Sequence, residues 1–174
     1  IGAAILASNK NYNVFISDSN SIKKKNKKVL DYHNISWEEN GHDLAKILTS
    51  DLVIKSPGIP NHINLIQKII KKEISIISEI EFASRFTKAK IVAITGTNGK
   101  TTTALLIYKI LNDAGYNVLL AGNIGLSFAA EISKKDYDFV VLEVSSFQLD
   151  NIVDFRPSIS IILNITADHL DRYN

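Results

Sequence analysis

The 174-residue chain contains no cysteine. That excludes disulfides, thiolate metal sites and a cysteine nucleophile, and it agrees with a reducing compartment. Long apolar runs are missing too: stretches such as 91–94 and 161–163 fall far short of the roughly 20 residues a membrane helix needs. No basic segment precedes the apolar stretch 1–7, so no export signal is predicted. A soluble cytoplasmic protein with no membrane insertion is expected. The chain also lacks an initial methionine, beginning at Ile1 and stopping at Asn174 directly after a polar cluster, which predicts a fragment of a longer protein.

What is present suits a folded chain. Apolar residues make up 45% and charged residues 22%, sufficient for a core in one or two small domains. The net charge of +2 is concentrated in Lys23, Lys24, Lys25, Lys27 and Lys28. No aromatic residues interleave with these lysines and the rest of the chain is balanced, so they read as a solvated face; no nucleic-acid partner is predicted.

Short β-rich runs alternate with longer amphipathic stretches, the pattern of βαβ units with parallel sheets. In a first unit, strands are predicted at 13–17, 51–55 and 75–77, with helical spacing over 42–48 and 61–71. A helix over 78–86 opens with a predicted capping box, Ser78 capping and Glu81 reaching back, and a staple of Ile77 on Phe82. A polar stretch, 87–90, marks the junction, giving units of 1–87 and 88–174. In the second, strands are predicted at 91–95, 117–120, 139–143 and 159–163, with a helix over 100–114 stopped by Gly115.

The main chemical signal is Gly96-Thr97-Asn98-Gly99-Lys100-Thr101-Thr102, set between an apolar strand and an amphipathic helix. Glycines let backbone N–H groups and a helix N-terminus face phosphates, Lys100 can neutralise the terminal phosphates, and a threonine hydroxyl can bind Mg2+. Ile94 stands where the commonest phosphate loop has a further glycine. Ligands of open parallel sheets gather beyond the carboxyl ends of strands. There the sequence places Glu143, a carboxylate able to hold Mg2+ beside a triphosphate, and, after the last strand, Asp168 and His169.

The shortened loop resembles that of Mur ligases and folylpolyglutamate synthetases. Ser56-Pro57-Gly58-Ile59-Pro60, Ala121-Gly122-Asn123-Ile124-Gly125, Glu143-Val144-Ser145-Ser146-Phe147-Gln148-Leu149 and the run from Asn164 to Tyr173 resemble, in order and spacing, the D-glutamate-adding Mur ligases. The resemblance implies a Rossmann-like N-terminal domain (1–87) that binds a UDP-linked substrate, followed by part of a P-loop-type central ATPase domain (88–174), both α/β with mainly parallel sheets. It also implies a monomer that uses ATP and Mg2+ to join D-glutamate to UDP-N-acetylmuramoyl-L-alanine in peptidoglycan synthesis. Position by position, Lys100 and the loop amides of residues 96–102 would bind the β and γ phosphates. Thr101 and Glu143 would hold a first Mg2+ and His169 a second. Asn123, Ser145 and Gln148 would contact the UDP-linked substrate, Asp18 and Ser19 would lie near uracil, and Ser56, Pro57 and Gly58 would form the next loop of that pocket.

Departures from the pattern accompany the match. The strand before Gly2, a carbamylated lysine downstream of His169, the adenine-binding residues and the C-terminal domain that receives D-glutamate are absent, so these 174 residues alone are expected to be catalytically silent. Unpaired sheet edges are expected in the first unit. Another Mur ligase with a different amino acid, a folylpolyglutamate synthetase-like ligase, or a non-catalytic ATP-binding module are the alternatives.

Overall fold

The computed structural model of the chain describes residues 1–167. Asp168 and His169 therefore lie outside the described residues. The second half is built on a parallel four-stranded sheet of order β6-β7-β5-β8, with β5 at Lys90–Thr95, β6 at Val118–Gly122, β7 at Phe139–Glu143 and β8 at Ile159–Ile162. Side chains alternate across a strand, and the sequence uses both faces. Val92, Ile94 and Val141 pack with Ala104, Ile107 and Leu111 of helix α6 (Lys100–Asp113) on one side. Ile91, Val140 and Leu142 join a second core on the other. That core also takes in Phe128 and Ala129 of α7 (Phe128–Ile132), Ile80, Phe82 and Ala83 of α5 (Glu79–Ser84), and Leu6 and Ala7 of α1 (Gly2–Asn9).

The first half holds two separate parallel pairs. β1 (Phe15–Ser17) pairs with β2 (Ser36–Glu38), and β3 (Leu52–Ile54) pairs with β4 (Ser75–Ile77). Among the described residues no strand bridges them, so the expected unpaired edges are present. α2 (Lys24–Tyr32) buries Leu30 against Ile22, Ile35 and Ala4, while Ile47 of α3 (Leu44–Ile47) packs with Ile66 and Ile69 of α4 (Asn64–Lys71). Most of the lysine cluster thus lies on the outer side of α2, whose one buried residue is Leu30. Lys27 pairs with Glu39 and lies 4.9 Å from the Trp37 ring centre.

The capping box predicted at Ser78 is half present. Ser78 Oγ accepts from the Glu81 N–H at 3.1 Å, but the Glu81 carboxylate does not return to the cap. The Ser78 N–H is taken instead by the Asn151 carbonyl at 2.9 Å. Fully buried, Glu81 accepts on one oxygen from Arg85 Nη2 at 2.9 Å and Nε at 3.1 Å. On the other it accepts from three successive backbone N–H groups, Val153, Asp154 and Phe155, at 2.8–3.0 Å. Burial pulls its pKa up, but the Val153 N–H, the Arg85 guanidinium and the other two amides outweigh it, leaving the carboxyl below its usual value. Glu79 reaches the other way: its Oε1 accepts from Ser127 Oγ at 2.6 Å and the Ala129 N–H at 3.1 Å, placing a negative charge on the first turn of α7. Helix α5 is thereby fastened at both carboxylates to chain segments far along the sequence. The junction expected at residues 87 and 88 falls in the loop between α5 and β5.

Candidate phosphate and metal site

In a parallel sheet every strand delivers its carboxyl end to the same edge, so the loops leaving β5, β6, β7 and β8 converge without long-range design. After β5 comes the glycine-bearing loop. Gly96 has φ +136°, and a Cβ there would sit 3.0 Å from the Asn164 carbonyl oxygen, so only glycine permits this backbone approach. At Gly99, φ +85° turns the chain into α6, whose first turn presents amides that no helix carbonyl can serve. These amides and the positive end of the helix form an anion-binding geometry.

Lys100 folds back on its own loop, donating from Nζ to the Gly96 carbonyl at 2.7 Å and the Thr97 carbonyl at 2.9 Å. The ammonium is therefore held over the loop mouth by neutral acceptors, which a phosphate oxygen would outcompete because charge-assisted bonds are the stronger ones. Thr101, one residue on, donates from Oγ1 to Glu143 Oε2 at 2.8 Å. Glu143 ends β7 and is 1% exposed. Its second oxygen accepts from Asn123 Nδ2 at 2.8 Å, and the Asn123 N–H donates to the Glu143 carbonyl at 2.8 Å. Gly122, with φ +104°, is what lets β6 end so close: a Cβ there would lie 2.2 Å from the Glu143 carbonyl oxygen.

The sequence-predicted residues thus fall into two groups. Lys100, Thr101, Glu143 and Asn123 are brought together beside the loop of residues 96–99. Asn123, expected to meet the UDP-linked substrate, also holds the Glu143 carboxylate. Ser145 and Gln148, adjoining Glu143, engage one another: Gln148 Oε1 accepts from the Ser145 N–H at 3.0 Å and from its Oγ at 3.1 Å, at the start of α8 (Ser146–Leu149). Thr102 sits exposed in the first turn of α6. The second group stands apart in sequence, at the carboxyl ends of β1 and β3. Asp18 accepts the Asn20 N–H at 2.9 Å, and Ser19 accepts from Asn20 Nδ2 at 3.3 Å. Ser56, Pro57 and Gly58 form a turn closed by the Ile59 N–H on the Ser56 carbonyl at 3.1 Å.

Sequence reasoning misses two supporting residues. Lys55 is 3% exposed and donates to the Ile59 carbonyl at 2.7 Å and to Asn61 Oδ1 at 2.8 Å, so it ties down the turn around Pro57. The one signal in the sequence is a lysine directly before Ser-Pro-Gly at the end of an apolar run. Asn164 meets the phosphate loop, although in its motif only Asp168 and His169 stand out by residue type.

Thr101 and Glu143 offer hard oxygen donors beside a phosphate-binding loop, a set that fits Mg2+, which takes one or two protein oxygens together with substrate phosphates. Among the described residues there is no cluster of three or more His, Cys, Asp or Glu able to hold a metal ion without such a partner. Nor is any helix among them long and apolar enough to cross a membrane.

Comparison with known proteins agrees with this architecture. The family description "MurD N-terminal domain" matches residues 3–65, and "Mur ligase middle domain" matches residues 94–174. The UDP-N-acetylmuramoylalanine--D-glutamate ligase of Bacteroides fragilis is 54% identical over 173 residues, 99% of this chain and 39% of that protein. The enzyme of the same name from Porphyromonas gingivalis is 50% identical over 174 residues, 100% of this chain and 39% of its own length. The chain therefore spans about 39% of the length of these relatives. Among solved structures, a UDP-N-acetylmuramate:L-alanyl-gamma-D-glutamyl-meso-diaminopimelate ligase from Neisseria meningitides shares the fold, with TM-score 0.61, 21% identity, and coverage of 99% of this chain and 59% of that one. With two family descriptions that together take in most of its residues, and relatives at half identity or more along almost all of it, the chain belongs to the Mur ligase family.

Proposed function

We propose that the chain forms the substrate- and ATP-binding part of a ligase that adds D-glutamate to UDP-N-acetylmuramoyl-L-alanine, in peptidoglycan synthesis. The observation that carries the reading is the 2.8 Å bond between Thr101 and buried Glu143, directly beside Lys100 and the loop amides. The name and identity of the Bacteroides and Porphyromonas relatives support the choice of substrates.

A carboxylate is a poor electrophile, so an amine displaces its oxygen only after that oxygen has become phosphate. Among residues 96–102, the amides of Gly99 and of the first turn of α6, with the Lys100 ammonium, bind and neutralise the β and γ phosphates, allowing an anionic acceptor to approach, while the Thr97 and Asn98 amides are taken by Asn164. Thr101 and Glu143 would hold Mg2+, which when bound draws charge off the phosphates, and Asn123 fixes the carboxylate that does so. His169 is assigned a second Mg2+. Ser145, Gln148 and Asn123 orient the acyl end of the acceptor, while Asp18, Ser19 and the turn of Ser56, Pro57 and Gly58 receive its uridine end.

On this reading residues 1–87 form the UDP-substrate domain and residues 88–174 the ATP-binding portion of the next, in a monomeric cytoplasmic enzyme. The test is chemical. In the complete protein with ATP and UDP-N-acetylmuramoyl-L-alanine but no amino acid, borohydride should trap an alcohol derived from the acyl phosphate; no trapped alcohol, with ATP bound, would leave only a nucleotide-binding module.

A further inference from the structure

Asn164 lies just past β8, where the ladder between β5 and β8 ends with the Leu163 N–H on the Thr95 carbonyl at 3.0 Å. Beyond that bond the two chain segments stay joined by other means. The Thr97 N–H donates to the Asn164 carbonyl at 3.0 Å. Asn164 Oδ1 accepts from the Asn98 N–H at 2.8 Å, and Asn164 Nδ2 donates to the Asn98 carbonyl at 3.0 Å. The side-chain amide acts here as an extra peptide unit, with one acceptor and one donor at the spacing of a strand partner. Thr97 Oγ1 then bonds the Thr166 N–H at 3.0 Å and the Thr166 carbonyl at 3.3 Å.

This bonding has two effects. The amides of Thr97 and Asn98 point at Asn164, so the donors left for phosphate are those of Gly99 and the first turn of α6. And residues 164–166 move with the phosphate loop as one piece, because several backbone groups and two side chains would have to part for them to separate.

We propose that Asn164 is a positioning residue of the nucleotide site: it fixes the phosphate loop before nucleotide arrives. The inference rests on the nucleotide reading of this site. Only asparagine suits the role at this distance. Aspartate lacks the donor and would set a negative oxygen against the Asn98 carbonyl, alanine makes neither bond, and glutamine is one methylene too long.

The test compares Asn164→Ala, Asn164→Asp and Thr97→Val with the unchanged sequence in the complete protein, using ATP binding by calorimetry, the KM of each substrate and thermal unfolding. Asn164→Ala should weaken ATP roughly tenfold to thirtyfold. The KM for the UDP-linked substrate should change less than about twofold, and Asn164→Asp should be no better than alanine. Thr97→Val, which keeps the loop's backbone bonds, should give a smaller loss of the same kind. ATP affinity within about twofold of the unchanged protein in both Asn164 variants overturns the proposal, as does an equal loss for every substrate that tracks a fall in unfolding temperature. If the unchanged protein binds no ATP, the nucleotide reading falls and this proposal with it; ATP binding that ignores Asn164 removes the proposal alone.

Discussion

Thr101 and Glu143 lie 42 positions apart in the chain, yet the threonine hydroxyl donates to the glutamate carboxylate at 2.8 Å. The first residue lies in the opening turn of α6 and the second ends β7, adjacent to β5 in the sheet. Glu143→Gln keeps the shape and an acceptor for Thr101 but loses the charge, so turnover should drop by about two to three orders of magnitude while ATP still binds. Unchanged turnover in a coupled phosphate assay would remove Glu143 from the metal site.

Lys100→Ala removes the ammonium now held by the Gly96 and Thr97 carbonyls. Tight ATP binding should be abolished in calorimetry, with the unfolding temperature little altered because the lysine is only partly buried. Retained affinity would contradict its assignment to the phosphates.

Gly122→Ala is predicted to be costly for a reason that has nothing to do with ligands. The added Cβ would lie 2.2 Å from the Glu143 carbonyl oxygen at a backbone with φ +104°, so β6 must withdraw from β7 at the point where Asn123 holds Glu143. A loss of about 2–4 kcal/mol in urea unfolding is expected, together with reduced turnover. Wild-type stability would show that the two strand ends can part freely.

Much of this is legible in the sequence, and the limits are physical. β4 and β7 fall where short β-rich apolar runs predict them, and α6 runs from Lys100 to one residue short of its predicted end, because the strands are sharply bounded and the helix is long. The elements missed are α1, α2, β2, α7 and α8, of which β2 and α8 span only three and four residues. α8 is closed locally by Gln148 on Ser145, a capping box that the sequence does spell, whereas α7 exists through a tertiary partner: Ser127, its cap, is bonded to Glu79. The same cause explains Glu81. Its spacing from Ser78 spells a capping box, but three amides at 153–155 offer its carboxylate more bonds than one cap could. No local pattern announces a partner more than seventy residues away. Asn164 is hidden likewise, since its two bonds to Asn98 depend on β8 lying beside β5.

Glu81 also makes stability depend on pH. Its pKa is lower folded than unfolded, so its contribution is complete above the unfolded value near 4.5 and is lost as pH falls through the lower folded value. Glu81→Gln should cost about 2–4 kcal/mol at neutral pH by leaving Arg85 and the amides of 153–155 poorly served. The gap between the two proteins should narrow below about pH 4.5. Parallel stability curves down to acid pH, read by fluorescence in urea, would contradict an ionised buried Glu81.

The proposed ligation of D-glutamate is tested most directly by phosphate release from ATP by the complete protein, given UDP-N-acetylmuramoyl-L-alanine and one amino acid at a time. Sustained release is expected with D-glutamate and background rates with L-glutamate, L-alanine and meso-diaminopimelate. Release with another amino acid and none with D-glutamate would contradict it, leaving the ligase chemistry of Lys100 and Glu143 in place but the substrate wrong.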